Sequence, residues 1–204
     1  MRYRLLLISG IALLLAACGA TGQSATGSAA SSAGSPAASS SGSTAPEASG
    51  STATGDIPDN AVFLTYQGTN PAFSIQYVEG WQVTQQPDGV VIRDKDSSET
   101  VQVMAPQSDV AGYITSTDLP ALKAQPGFSL AKRDKVKVGA STYEHLAYHV
   151  TSPPDAVTGK QLPLIVDRYY VPGPRGLAIV SLATPNGVDN VDAFRQMIQS
   201  FKWS

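Results

Sequence analysis

Three sets of side chains in this sequence have the types that chemistry needs: the pair His145 and His149, the acidic run Asp94-Lys95-Asp96 with Glu99 beyond it, and the single thiol Cys18. Two imidazoles four residues apart share a metal ion when a helix carries them. Here Tyr143, His145, Ala147 and His149 alternate with Glu144, Leu146, Tyr148 and Val150, which is strand periodicity. On a strand both histidines face one side but stand about 13 Å apart at ~3.3 Å per residue, too far for one ion. They are expected at the surface. The acidic run invites calcium, yet it lacks the spaced oxygen ligands and the glycine of an EF-hand loop, and a hairpin turn is the plainer expectation. The sequence has no Gly-x-Ser-x-Gly elbow, no His-Glu-x-x-His and no phosphate-cradling glycine loop. Gly173-Pro174-Arg175-Gly176 does not serve as one, because proline removes a backbone donor such a loop relies on. A hydrolase would have to recruit His145 or His149 together with an unmarked serine. No catalytic, cofactor-binding or metal-binding residue is assigned, and no cofactor is expected.

Cys18 closes the run Leu15-Ala16-Ala17-Cys18 behind the 13-residue, mostly apolar segment Leu5 to Ala17, with Arg2 and Arg4 ahead of it. Charge, apolar core and small residues in that order are the layout of a secretory signal over residues 1–17. The core is too short to remain as a span, since crossing ~30 Å of hydrocarbon as helix takes about 20 apolar residues. The four residues ending at Cys18 resemble the lipobox of bacterial lipoproteins. That resemblance implies cleavage before Cys18, a diacylglycerol on its sulfur and a further acyl chain on its freed amine. It also implies a lipid-anchored protein of the cell membrane on the extracytoplasmic face, periplasmic or at the cell surface. Several chains on one residue hold durably where one holds marginally, at ~0.8 kcal/mol per buried methylene. The alternative is an ordinary secretory signal that leaves a free thiol. With one cysteine, no intrachain disulfide forms, and the fold must rest on its core.

From Gly19 to Asp56 the composition falls to Ser, Ala, Gly, Thr and Pro, with little else. Such a segment buries too little apolar surface to offset chain entropy, so residues 18–56 are expected to be a disordered tether with an r.m.s. span of ~34 Å. Its Ser and Thr content suits a plain spacer or a carrier of O-linked sugars. Residues 57–204 are long enough for one domain that buries about two-thirds of its unfolded surface. The charges nearly balance, 14 Lys and Arg against 16 Asp and Glu. Nucleic acid is therefore not an expected partner, because it demands a concentrated basic face. The one basic cluster, Lys132, Arg133, Lys135 and Lys137, reads as the solvated side of a strand or hairpin rather than a contact for anionic lipid.

Period-two patterning governs most of the domain. It predicts strands at Val62 to Tyr66, Phe73 to Tyr77, from Trp81 and Val83 onward, Val90 to Ile92 and Val101 to Met104, an antiparallel meander punctuated by Gly, Pro and Asp turns. Strands resume at Ser129 to Val138, Thr142 to Thr151, Leu162 to Val171 and Leu177 to Leu182, with an irregular loop from Ser152 to Lys160. Ile114, Leu119 and Leu122 predict a short helix over Thr115 to Gln125, capped by Ser116 or Thr117 and stopped by Pro126-Gly127. Val191, Phe194, Ile198 and Phe201 predict a closing amphipathic helix with Asp189 and Asp192 at its N-terminus. The fold class is α+β, an antiparallel β-sheet flanked by helices.

Phe73-Ser74-Ile75-Gln76-Tyr77-Val78-Glu79-Gly80-Trp81 is similar to the Phe-x-Ile-x-Tyr-Pro-x-Gly-Trp opening of PsbP-like domains, and Asp192 to Phe201 looks like their closing helix. The resemblance extends to the Mog1-like group and covers most of residues 60–204. Val78 departs from it by standing where that family commonly has proline. It implies an α/β/α sandwich, and for PsbP relatives a role beside photosystem II. The trio Phe73, Tyr77 and Trp81 reads as core rather than as a ligand-stacking platform. Three functions remain open: a non-catalytic binding or assembly module for a protein partner or membrane complex, working through the far end of the sheet or the loop Ser152 to Lys160; a small-molecule or metal-binding lipoprotein; and, less favoured, an enzyme.

Overall fold

The computed structural model describes residues 55–204. The signal-like segment, Cys18 and the tether up to residue 54 lie outside the described residues. Among the described residues there are ten strands, most of them built on alternating side chains. β1 (Phe63–Thr69) and β2 (Ala72–Val78) form a hairpin whose turn holds a cis Asn70–Pro71 bond. β3 (Gln82–Gln86), β4 (Gly89–Asp94) and β5 (Ser97–Met104) form the expected meander. β6 (Ser129–Val138), β7 (Ser141–Thr151), β8 (Pro163–Gly173) and β9 (Gly176–Pro185) follow as long antiparallel neighbours. β9 returns to pair with β5, which closes a seven-stranded sheet of order β3-β4-β5-β9-β8-β7-β6. A short β10 (Lys202–Trp203) joins β1 and β2 in a second sheet of order β1-β2-β10.

Each face of the large sheet has its own cover. On one face Val90, Ile92, Val101, Val180 and Leu182 pack against Phe73 and Ile75 of the small sheet and against Phe194, Met197 and Ile198 of α3 (Val191–Ser200). On the other, Leu146, Tyr148, Val166, Tyr170 and Ile179 pack beneath Ile114 and Leu122 of a helical segment. That segment consists of α1 (Val110–Tyr113), a π-helical turn (Ile114–Asp118) and α2 (Leu119–Lys123). The architecture is therefore α+β, an antiparallel sheet covered by helices on both faces. At the start of β4, a Cβ on Gly89 would drive into the carbonyl of Val101 on β5, so only glycine permits that close approach.

The predicted helix begins five residues early. Asp109 caps it by accepting from the Gly112 amide at 2.8 Å, whereas the expected caps Ser116 and Thr117 lie inside the segment, where Thr115 and Ser116 donate back to the Ala111 and Gly112 carbonyls. The closing helix is shorter than the apolar spacing suggests. Phe201 leaves it with ψ 131°, stacks on Phe73 at 5.8 Å and leads into β10, which the sequence reading did not foresee. Phe73 and Trp81 are buried with Tyr77 packed beside them, as core residues.

Candidate functional site

His145 is the first departure from the surface expected of both histidines: it is 5% exposed, while His149 is half-buried. Register explains this. His145 on β7 lies opposite Asp134 on β6 and Tyr169 on β8, and Asp167 stands two residues from Tyr169 on the same face. Asp134 Oδ1 is 2.9 Å from Nδ1 of the imidazole, Asp167 Oδ1 is 2.9 Å from Nε2, and the Tyr169 ring lies 4.7 Å away, centroid to centroid. A carboxylate on each nitrogen calls for a proton on each nitrogen, which describes an imidazolium. Burial by itself would lower the pKa of His145; the hydrogen bonds to Asp167 and Asp134 outweigh it and leave the group above its ordinary value. Lys132 at 2.7 Å, and then His145, pull the Asp134 carboxyl below its ordinary value.

This geometry restricts the chemistry. Both ring nitrogens are engaged, so neither is placed to take a proton from a serine. The two carboxylates sit on opposite edges of the ring and cannot converge with it on one ion. Among the described residues, no group of three or more His, Cys, Asp or Glu side chains is arranged to hold a metal. The acidic run does form a hairpin turn, with Asp94 paired to Ser97 around Lys95 and Asp96. Glu99 is not part of it. It lies on β5, fully buried between Ile92 and Leu182, with neither oxygen hydrogen-bonded, and burial pushes its carboxyl well above the ordinary value.

The opposite face of β8 carries a second buried ion pair. Arg168 donates through Nε and Nη2 to the two oxygens of Asp118, both at 2.9 Å, and through Nη1 to Ser181 at 2.8 Å, while the Tyr170 hydroxyl also donates to Asp118. These bonds fasten the π-helical turn to the sheet. The role is positional, because every polar atom of Asp118 is occupied from within the domain.

Between the β6 end of the sheet and α3 lies a groove of about 360 Å³. Its floor is Val136, Val138, Tyr169, Phe194 and Ile198; Lys137, Asp167 and Arg195 stand at its rim, with Val191 60% exposed beside them. Asp167 therefore belongs both to the groove and to the histidine cluster. The basic residues of β6 are solvated as expected: Lys132 pairs with Asp134, Lys135 with Glu144, and Arg133 reaches Thr115 and the Ala111 carbonyl. The loop from Ser152 to Lys160 is ordered by Asp155, whose Oδ1 accepts from Val157, from the Thr158 amide and from the Thr158 hydroxyl; Val157 at its tip is 92% exposed.

No protein-family model matches this chain, and no curated protein does. Several solved structures are similar to it. The cyanobacterial PsbP (CyanoP) of Synechocystis sp. PCC 6803 is 16% identical with a TM-score of 0.48, covering 74% of this chain and 98% of that one. The Saccharomyces cerevisiae Ran-binding protein Mog1p is 12% identical with a TM-score of 0.49, covering 71% and 96%. The Mycobacterium tuberculosis protein LpqN, described as involved in cell envelope biogenesis, is 13% identical with a TM-score of 0.43, covering 71% and 91%. The chain spans about half, 48%, of a Bacteroides thetaiotaomicron protein that it also matches. The likeness is one of fold. PsbP and Mog1 proteins, the groups that Phe73 to Trp81 and the closing helix resemble in sequence, are thus also met among the structures.

Sequence reasoning missed Asp134, Asp167 and Glu99 as partners or core members. A signal for one was present: Asp167-Arg168 interrupts an otherwise apolar and aromatic run from Leu164 to Val171, and a charged pair inside a central strand demands buried partners.

Proposed function

We propose that this chain is a lipid-anchored, extracytoplasmic and non-catalytic binding module, and that the groove between β6, β8 and α3 receives an extended segment of a protein partner. The anchor rests on the lipobox-like run ending at Cys18. Among the described residues, no helix is long and apolar enough to cross a membrane. The groove itself carries the binding reading: an apolar floor with a mixed-charge rim is the composition of a protein-recognition surface. The acid and base groups support it too, since His145 is tied to Asp134 and Asp167, and Arg168 to Asp118, rather than held ready for proton transfer. The groove volume also suits a small apolar ligand, the second reading.

A photo-cross-linking side chain at Gln199, in the groove of the membrane-resident protein, tests this. A protein adduct that disappears on introducing Val138→Glu supports the proposal. An adduct insensitive to Val138→Glu, or a small-molecule adduct alone, contradicts it.

A further inference from the structure

The seven-stranded sheet has two edges, β3 and β6, and they are treated differently. An edge strand leaves backbone donors and acceptors open to another chain, and proteins blunt such edges with charge, proline or a bulge. β6 is blunted twice: Lys132, Arg133, Lys135 and Lys137 line it, and its register shifts between Leu130 and Lys132. β3 has none of these devices. Its five residues, Gln82-Val83-Thr84-Gln85-Gln86, carry no charge and no proline, pair without a register shift, and are exposed as far as Gln85.

Register states which groups are open. The β3–β4 hairpin closes over Pro87 and Asp88 with Gln86 opposite Gly89. Hydrogen-bonded and non-bonded pairs alternate from that closing pair, so Gln82, Thr84 and Gln86 direct their backbone groups at β4, while those of Val83 and Gln85 point outward. The geometry points to a second copy of this chain as the occupant: two β3 strands pair antiparallel about a two-fold axis through Thr84. Val83 then exchanges both backbone hydrogen bonds with Gln85 of the partner subunit, and the sheet continues across the axis. Isologous pairing brings a strand against itself, so a charged edge repels its mate, as β6 would with four basic residues. β3 contains nothing to repel. Glutamine amides both donate and accept and so complement themselves, and Val83, 39% exposed, gains apolar cover.

The register gives a specific test in native membranes, using single cysteines introduced beside the native Cys18 in the full chain under mild oxidation, with the native chain as the background. Thr84 would lie in a non-bonded pair with its own mate, at about 4.5 Å between Cα atoms, inside the range a disulfide spans. Thr84→Cys is expected to yield a homodimer. Val83→Cys alone is expected to remain monomeric, and co-expression of Val83→Cys with Gln85→Cys chains to restore the cross-link. The detergent-solubilised native chain should sediment as a concentration-dependent dimer. Val83→Pro, which removes an outward N–H without touching the β4 ladder, should be monomeric and should melt as the native chain does at a concentration where that chain is monomeric too. Cross-linking of Thr84→Cys no greater than that of Val83→Cys, an adduct with a different protein, or sedimentation of the native chain as a monomer at all concentrations overturns the inference.

Discussion

Asp167 and Arg168 are neighbours on β8 that point to opposite faces of the sheet, each into its own ion pair. Asp167 meets His145 at 2.9 Å on the α3 side, and Arg168 meets Asp118 at 2.9 Å beneath the π-helical turn. One dipeptide in a central strand thereby ties β8 to β7 within the sheet and fastens the sheet to the helical segment.

The histidine cluster makes stability depend on pH from two directions. The folded pKa of His145 lies above its ordinary 6.5, so its contribution is complete below that value and fades as pH rises through the folded value. The folded pKa of Asp134 lies below its ordinary 3.8, so its contribution is present above that value and is lost as pH falls through the folded one. Thermal unfolding across pH should show greatest stability from this cluster between those limits. His145→Ala should flatten the alkaline limb and cost about 1–3 kcal/mol, because two carboxylates lose their shared partner. An NMR titration placing the His145 midpoint below 6.5 would count against the bridged imidazolium.

Glu99 acts in the other direction. Its carboxyl is buried without a partner and titrates above the ordinary value, so between the ordinary value and the folded one the native state holds a proton that the unfolded chain has released. Stability from this residue falls as pH rises from the ordinary value, 4.5, toward the folded one. Glu99→Met, similar in volume and free of buried oxygens, should raise stability by about 1–3 kcal/mol at pH 7, read as a higher urea midpoint with an unchanged m-value. A lower midpoint would show that the carboxyl has a favourable partner in the folded protein.

Breaking the Arg168–Asp118 pair from one side leaves a buried charge alone. Asp118→Ala should destabilise by about 3–5 kcal/mol, whereas Asp118→Ala combined with Arg168→Met should lose less than Asp118→Ala alone. Additive losses in a double-mutant cycle would mean that the two residues act independently.

Gly89→Ala places a methyl group against the Val101 carbonyl. Overpacking of this kind costs about 1–3 kcal/mol, and differential scanning calorimetry should report a lower melting temperature. An unchanged value would mean that β4 and β5 separate freely at that point.

Much of the fold was legible because strand alternation is local. The meander, the four long strands and the fold class follow from it, and the core role of Phe73 and Trp81 follows from aromatics at alternating or turn-bounded positions. The helix start was obscured because Asp109 precedes Val110-Ala111-Gly112, where a valine and a glycine weaken the helical signal. β10 is two residues long and exists only by pairing with β2. The charged clusters were hidden for a different reason: His145 reaches its carboxylates across 11 and 22 positions and Arg168 reaches Asp118 across 50, so register and layer packing create contacts that no local spacing encodes. Glu99 was misplaced because Asp94, Asp96 and Glu99 look like one acidic group, yet the hairpin ends at Ser97 and turns the next-but-one side chain into the core.

Lipid anchoring at Cys18 is the property on which the proposed function most depends. Intact-mass spectrometry of the chain extracted from membranes should find a mature N-terminus at Cys18 bearing acyl chains, with Cys18→Ser protein shifting to the soluble fraction. An unacylated Cys18, or a Cys18→Ser chain that still sediments with membranes, would contradict it.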